Sequence, residues 1–186
     1  MKRLAIVILL IFFAFSLSAA NYDGILNGAN ASANVSWTID ESNLSFTSVV
    51  FSNDDGGLSP LGDSFVIKEF KPDLENKKIT ANKTFYVVWS IFTNDRVSVA
   101  MKFEQESNSL VTTGISAKYK NDEKVNITSD EETIYTHESS ENTSLDKGYA
   151  TINISVSADA DGLSFGTDGI NLGTLTVTVK TDGGAN

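Results

Sequence analysis

The strongest constraint on the fold of this chain is an alternation of apolar and polar residues that recurs along most of its length. Between Ala150 and Ala158, every second residue is Ala, Ile or Val, and the residues between them are Ser, Thr or Asn. Successive side chains of a β-strand point to opposite faces of the sheet, so a period of two predicts a strand with one buried and one solvent-exposed face. No segment shows a convincing helical period.

Similar patterns predict further strands at residues 35–39, 44–50, 65–70, 97–103, 110–120, 124–128, 133–136 and 174–180. Residues 84–93 are apolar on both faces, which is typical of a strand in the middle of a sheet or between two packed layers. The polar turn at residues 94–96 predicts that segments 84–93 and 97–103 form a hairpin. Gly114 predicts a kink within segment 110–120.

About nine or ten short strands with turn signals between them predict an all-β fold with a single domain. We expect an antiparallel β-sandwich, immunoglobulin-like or jelly-roll-like, with a closed barrel as the alternative. The sandwich is predicted to span residues 34–182. A flexible segment at 21–33, rich in Gly, Ala and Asn, precedes it, and residues 183–186 form a tail.

The first 20 residues have the features of a cleavable signal peptide. Lys2 and Arg3 are followed by an apolar run at 4–15, and Ser18 and Ala20 suit cleavage before Asn21. The alternative, a retained anchor, is less favoured because the apolar run is shorter than the roughly 20 residues that span a bilayer. The chain has no cysteine. Since extracellular animal domains commonly use disulfides, we expect a prokaryotic extracytoplasmic protein that is periplasmic, surface-bound or secreted.

The chain is acidic, with 24 Asp and Glu against 14 Lys and Arg and a net charge of −10. Loss of Lys2 and Arg3 with the signal peptide would make the excess of acidic residues larger. Such a chain is repelled by phosphate backbones and anionic lipid head groups. We therefore predict no nucleic-acid partner and no membrane insertion after signal cleavage.

The residues needed for common catalytic sites are largely missing. Nucleophilic triads require a base beside the nucleophile, and the chain has one histidine and no cysteine. His137 stands beside Glu138 in a polar stretch, which favours a solvated surface histidine. Glu69 and Glu104 are the strand-borne acids that could act on a glycosidic bond, but an outward position on an amphipathic strand explains both. We predict a non-catalytic protein without a cofactor.

One segment has spacing that could suit calcium. Ser157, Asp159, Asp161 and Asp168 fall at positions 1, 3, 5 and 12 of an EF-hand-like loop, with Gly162 at position 6, although no helices are predicted beside it. A strand that ends in a polar turn explains the same residues, and we favour the turn. The segment 53–57 (Asn-Asp-Asp-Gly-Gly) is predicted to be a turn for the same reason.

Two further features bear on the surface of the protein. Trp37 and Trp89 alternate in register with other apolar residues and are predicted to be in the core, whereas Tyr135 and Tyr149 flank a polar loop and are candidates for an exposed, sugar-stacking patch. The triplet N-x-S/T, which suits a glycosylated protein in a host that modifies Asn, begins at Asn30, Asn34, Asn43, Asn82, Asn126, Asn142 and Asn153.

These features predict an exported, non-catalytic structural or interaction protein of the cell envelope, such as a surface, filament or adhesin-type module. Self-association or a protein partner is expected, and segment 21–33 could pair with the edge of a neighbouring copy. The alternative is a soluble module that binds carbohydrate or another small ligand. A hydrolase is the least favoured class.

Overall fold

A computed structural model of the protein describes residues 31–40, 46–107, 111–120, 122–142, 144–159 and 169–181. These residues form eleven strands and no helix, and thus no helix that could cross a membrane. The strands are β1 (Ala31–Asp40), β2 (Phe46–Ser52), β3 (Ser64–Ile67), β4 (Lys71–Asp73), β5 (Lys78–Thr93), β6 (Val97–Gln105), β7 (Val111–Tyr119), β8 (Val125–Ile127), β9 (Glu132–His137), β10 (Ser144–Asp159) and β11 (Ile170–Thr181).

The strands form two sheets, as a sandwich requires. One sheet has five strands in the order β3-β1-β11-β6-β9, and the other has six in the order β2-β5-β10-β7-β8, with β4 paired to β5. The all-β, two-sheet prediction is confirmed. The count of nine or ten strands is wrong because β4, with three residues, is too short to give an alternating pattern, whereas β8 falls within the predicted strand at residues 124–128.

The predicted sandwich was fully antiparallel, but one pair of strands is parallel. β1 runs alongside β11 from Ala31, opposite Ile170, to Asp40, opposite Lys180. The other strand pairs are antiparallel. Alternation assigns side chains to a face of the sheet but contains no information on which strand lies beside which, or in which direction. The parallel pair could therefore not be predicted from the pattern.

The predicted hairpin between segments 84–93 and 97–103 is also wrong. β5 and β6 belong to different sheets, so the short polar segment between them carries the chain from one layer to the other. Both edges of β5 are occupied by other strands. β10 pairs with it over 16 residues, from Ser144 opposite Thr93 to Asp159 opposite Lys78, and β2 pairs on the opposite side.

The core lies between the sheets, and β5 runs through its middle. Phe85, Val87, Trp89 and Ile91 are fully buried, which confirms the prediction of a central strand. The second apolar face of β5 is not covered by another sheet. Tyr86 and Val88 on that face are half-buried, and Phe92 is 40% exposed. The apolar side chains on this second face therefore belong to the outer surface of the six-stranded sheet.

The segment predicted as a flexible lead-in overlaps the first strand. β1 begins at Ala31, and Ala31 and Ala33 are almost fully buried between the sheets. Residues 21–30 lie outside the described residues. Trp37 lies in β1 with its backbone opposite Val177, and its side chain is not among those that the structure describes.

The predicted turn at residues 53–57 is confirmed. Asp54 Oδ1 accepts hydrogen bonds from the backbone N–H groups of Gly56 and Leu58, each at 3.0 Å. These donors hold the pKa of the Asp54 carboxyl below its usual value. Gly57 has φ 73°, and a Cβ there would lie 3.6 Å from Val88 Cγ1, so this turn packs on the outer surface of the six-stranded sheet.

Candidate functional site

The outer surface of the six-stranded sheet contains a groove of about 540 Å³, which we call the outer groove. It crosses four neighbouring strands, β5, β10, β7 and β8. Since neighbouring strands lie about 4.8 Å apart, the groove is on the order of 14 Å across the strands. Its lining residues are Asn82, Lys83, Thr113, Gly114, Ile115, Ser116, Lys124, Asn126, Ile127, Asn153, Ile154 and Ser155.

Strand register places four polar residues at one level of the groove. Asn153 on β10 lies opposite Thr84 on one side and Ser116 on the other, and Ser116 lies opposite Asn126 of β8. Thr84 Oγ1 donates a hydrogen bond to Asn153 Oδ1 at 2.8 Å. That bond uses the amide oxygen of Asn153 and leaves its two N–H donors for other partners.

Gly114, which has no side chain, forms part of the floor of the groove. Gly114 lies opposite Ser155, and Ser155 Oγ donates to the Gly114 carbonyl at 3.3 Å. A Cβ at Gly114 would lie 2.8 Å from Ser155 Oγ, which real contacts avoid. The ladder between β7 and β10 runs through Gly114 without a shift of register, so the kink that we predicted there does not disturb the pairing.

The lining of the outer groove contains two lysines and no carboxylate. Asp122 and Glu123 stand close to Lys124 in the chain but do not line the groove. Glu69 lines a neighbouring depression of about 360 Å³, which shares Asn82 and Lys83 with it. The groove is thus a polar, acid-free area on a protein with a net charge of −10.

An aromatic and apolar area adjoins the outer groove on the same surface. Tyr86 and Tyr149 meet edge to face, with ring centroids 6.0 Å apart, beside the level of Thr84 and Asn153. Farther along the same strands, Phe92 and Leu145 lie opposite each other and are 40% and 52% exposed. The surface therefore changes from amides and hydroxyls at one end to apolar groups at the other.

Tyr135, predicted with Tyr149 as part of one exposed patch, lies elsewhere. Its ring packs against Trp89 and Tyr119, with centroid distances of 5.5 and 4.7 Å. Trp89 is 1% exposed, which confirms its prediction as a core residue. The three rings fill the space where β9 of one sheet meets β5 and β7 of the other. Tyr149 is thus the member of the predicted pair that lies beside the outer groove.

His137 and Asp146 join Tyr135 at this junction between the sheets. The Tyr135 hydroxyl donates to Asp146 Oδ2, and His137 Nδ1 lies 3.5 Å from the same oxygen. The His137 side chain is only 16% exposed, in contrast to the solvated histidine that we predicted. Burial, together with the hydrogen bond to Asp146, raises the pKa of the Tyr135 hydroxyl. Asp146 was missed because its segment was predicted to be a polar loop, whereas it belongs to β10.

The predicted acidic candidates are not brought together. Glu104 is exposed and pairs with Lys102 at 2.8 Å, and Glu69 is exposed in the connection after β3. Asp159 ends β10 in an exposed position, while Asp161 and Asp168 lie outside the described residues. Within the described ranges, no three His, Asp or Glu side chains are grouped so that they could hold a metal ion.

Five of the seven N-x-S/T asparagines lie within the described residues, and all five are exposed. Three of them, Asn82, Asn126 and Asn153, line the outer groove. In an extended strand, residues two positions apart share a face, so each triplet contributes its Asn and its hydroxyl residue to the same surface. Asn34 lies on β1, and Asn142 lies in the connection between β9 and β10.

Comparison with known proteins gives no family. No protein-family model and no curated protein sequence matches the chain. Among solved structures, a family two carbohydrate esterase from Cellvibrio japonicus has a TM-score of 0.22 and 12% identity, and the match covers 61% of this chain and 33% of the esterase. TmCBM61 in complex with β-1,4-galactotriose has a TM-score of 0.19 and 11% identity, over 63% of this chain and 81% of that one.

A third structure, a variant of Streptomyces PAC13 with uridine, has a TM-score of 0.14 and 15% identity, over 54% of this chain and 80% of the other. The chain therefore spans about a third of the esterase and most of the other two proteins. These scores are too low for the likeness to inform either the fold or the function.

Proposed function

We propose that the protein is an exported, non-catalytic interaction module of the cell envelope, and that it binds its partner with the outer surface of the six-stranded sheet. The observation that carries the proposal is the combination on that surface of the outer groove with the half-buried Tyr86–Tyr149 pair and the exposed Phe92–Leu145 pair. Contact surfaces commonly combine hydrogen-bonding groups with exposed aromatic side chains.

The position of the single histidine supports a non-catalytic role. His137 is turned towards Asp146 and Tyr135 at the junction of the sheets, and none of these three residues lines the outer groove. A group that serves as a general base must reach the substrate proton directly or through one water. An imidazole held in this way contributes to packing between β9 and β10 rather than to chemistry on a bound ligand.

Export is supported by the sequence pattern of residues 1–20, which lie outside the described residues. A partner in the cell envelope follows from that location. Self-association into a filament or surface layer is one form of the proposal. Because Ala31 and Ala33 are buried in β1, a connecting segment that reaches a neighbouring copy would lie within residues 21–30.

The first test is the size of the native protein released from its own cells without boiling, measured by size-exclusion chromatography with light scattering. A large or ladder-like species supports a structural subunit, and deletion of residues 21–30 then tests the connecting segment. A monomer that also fails to sediment with purified envelopes would contradict the proposal.

The second test locates the contact surface. Phe92→Ser and Tyr149→Ala alter the outer surface of the six-stranded sheet, whereas Thr174→Ala alters the outer surface of the five-stranded sheet and serves as a control. We expect the first two variants to lose envelope binding and the control to retain it, with unchanged circular dichroism for all three. Equal binding by all three variants would place the contact elsewhere.

A further inference from the structure

We infer that the outer groove is a binding site for a neutral polysaccharide, laid across β5, β10, β7 and β8 with its sugar hydroxyls on the groove amides. This inference rests on the proposed function, because it names the ligand of the surface proposed there. Nothing in it requires a chemical change in the ligand.

The hydrogen-bonding groups of the groove match those of a sugar. Asn153 and Asn126 each present an amide that can donate, and the hydroxyls of Thr84 and Ser155, whose protons go to Asn153 Oδ1 and to the Gly114 carbonyl, can accept. A sugar hydroxyl is both donor and acceptor, so it can pair with either kind of group. Because Thr84 fixes the Asn153 amide through its oxygen at 2.8 Å, the N–H donors of Asn153 are positioned before a ligand arrives.

The shape of the groove favours an extended ligand over a compact one. The level defined by Thr84, Asn153 and Asn126 spans four strands, which is on the order of 14 Å. Gly114 has no side chain, and the Ser155 hydroxyl lies where its Cβ would be, so the floor of the groove there presents a polar oxygen atom. A single sugar ring would leave much of this length empty.

The adjoining tyrosines extend the same surface. Sugar rings have an apolar C–H face as well as polar edges, and aromatic side chains bury such faces efficiently. Tyr86 is opposite Thr151 and Tyr149 is opposite Val88, so the two rings lie two and four residues along the strands from the level of Asn153. The pair lies at the β5–β10 end of the amide level and extends the same surface along these two strands.

Charge distinguishes a neutral polysaccharide from an anionic polymer. The chain carries a net charge of −10, so a polyanion that approaches the protein is repelled. Lys83 and Lys124 line the groove and no carboxylate does, so the groove itself does not repel an anion. The protein as a whole nevertheless keeps its net negative charge. A neutral polymer avoids this repulsion, and the lysine ammonium groups can still donate hydrogen bonds to its hydroxyls.

The experiment uses residues 21–186, produced in a host that does not glycosylate asparagine. Affinity gel electrophoresis is run in neutral gels of galactan, mannan and β-glucan, and in gels of polygalacturonate and dextran sulfate. The groove variants are Asn153→Ala and Asn126→Ala, and Thr174→Ala on the opposite sheet is the matched control. Circular dichroism melting confirms that each variant folds.

We expect retardation in at least one neutral gel that is insensitive to salt, at least a tenfold loss of affinity for both groove variants, and no loss for the control. Retardation only by the anionic gels, abolished by salt, would overturn the neutral class. Equal retardation of all variants would overturn the site. If no gel retards the protein while envelope binding persists, the polysaccharide inference fails and the proposed interaction function stands with a protein partner.

Discussion

The indole of Trp89 lies directly over Gly148, its neighbour across the ladder between β5 and β10. A Cβ at Gly148 would be 2.6 Å from Trp89 Cζ2, closer than real side-chain atoms approach one another. Glycine is therefore required at this position so that the largest core side chain can lie flat against the backbone of β10.

This contact predicts that Gly148→Ala destabilises the protein by about 1–3 kcal/mol, because the added methyl group must displace a fully packed ring. Gly62→Ala is the matched control, since a Cβ there has nothing within 4 Å. Urea unfolding followed by tryptophan fluorescence measures both. A Gly148→Ala protein as stable as the Gly62→Ala protein would show that Trp89 is not held as described.

Alkaline stability depends on Tyr135. Burial and the hydrogen bond to Asp146 raise the pKa of its hydroxyl above the ordinary value of 10.0. The folded state therefore holds this proton more tightly than the unfolded chain does. The stabilisation is complete below pH 10 and is lost as the pH rises above it.

We expect Tyr135→Phe to lower the free energy of unfolding at neutral pH by about 1–2 kcal/mol, because Asp146 loses a hydrogen-bond donor. We also expect the stability of this variant to decrease less above pH 10 than that of the wild type. The measurement is the urea midpoint as a function of pH, with Tyr149→Phe as the control for the loss of a phenol. Parallel pH profiles for wild type and Tyr135→Phe would contradict this role.

For the segment after β10, we expect that millimolar calcium and EDTA leave the melting temperature unchanged, since its sequence favours a polar turn over a calcium site. A ligand that binds only the folded state must stabilise it. A rise of several degrees on adding calcium, lost in Asp159→Asn, would show instead that this segment binds the ion.

Glycosylation, where the host modifies asparagine, is expected to follow accessibility. Asn142 is exposed in the connection between β9 and β10, whereas Asn153 lies in mid-sheet with its amide bonded to Thr84. We expect modification of Asn142 before Asn153. Peptide mass spectrometry of the native protein measures the occupancy of each site, and a modified Asn153 beside an unmodified Asn142 would contradict the expectation.

The alternating pattern predicted much of the local structure. The burial of Ile152, Ile154 and Val156 and the exposure of Asn153 and Ser155 follow from it directly. The pattern did not predict which strands pair. β5 and β10 pair although more than 50 residues separate them, and a different choice of partners would give the same pattern. The predicted hairpin of β5 and β6 failed for this reason.

The outer groove could not be predicted from the sequence, because the strand partners could not be predicted. Asn82, Asn126 and Asn153 were each visible as the start of an N-x-S/T triplet, but only the register of four strands brings them onto one surface. The junction of Tyr135, His137 and Asp146 was also missed, since it joins the ends of strands from two sheets.

The parallel pairing of β1 with β11 has a consequence for the timing of folding. Ser36 and Thr176, whose hydroxyls lie 3.3 Å apart on these strands, are 140 positions apart in the chain. The centre of the five-stranded sheet therefore cannot close until β11 has been synthesised, and long-range pairing of this kind is slow. Until β11 emerges from the ribosome, β1 and β6 have no strand between them, and each keeps an unpaired edge.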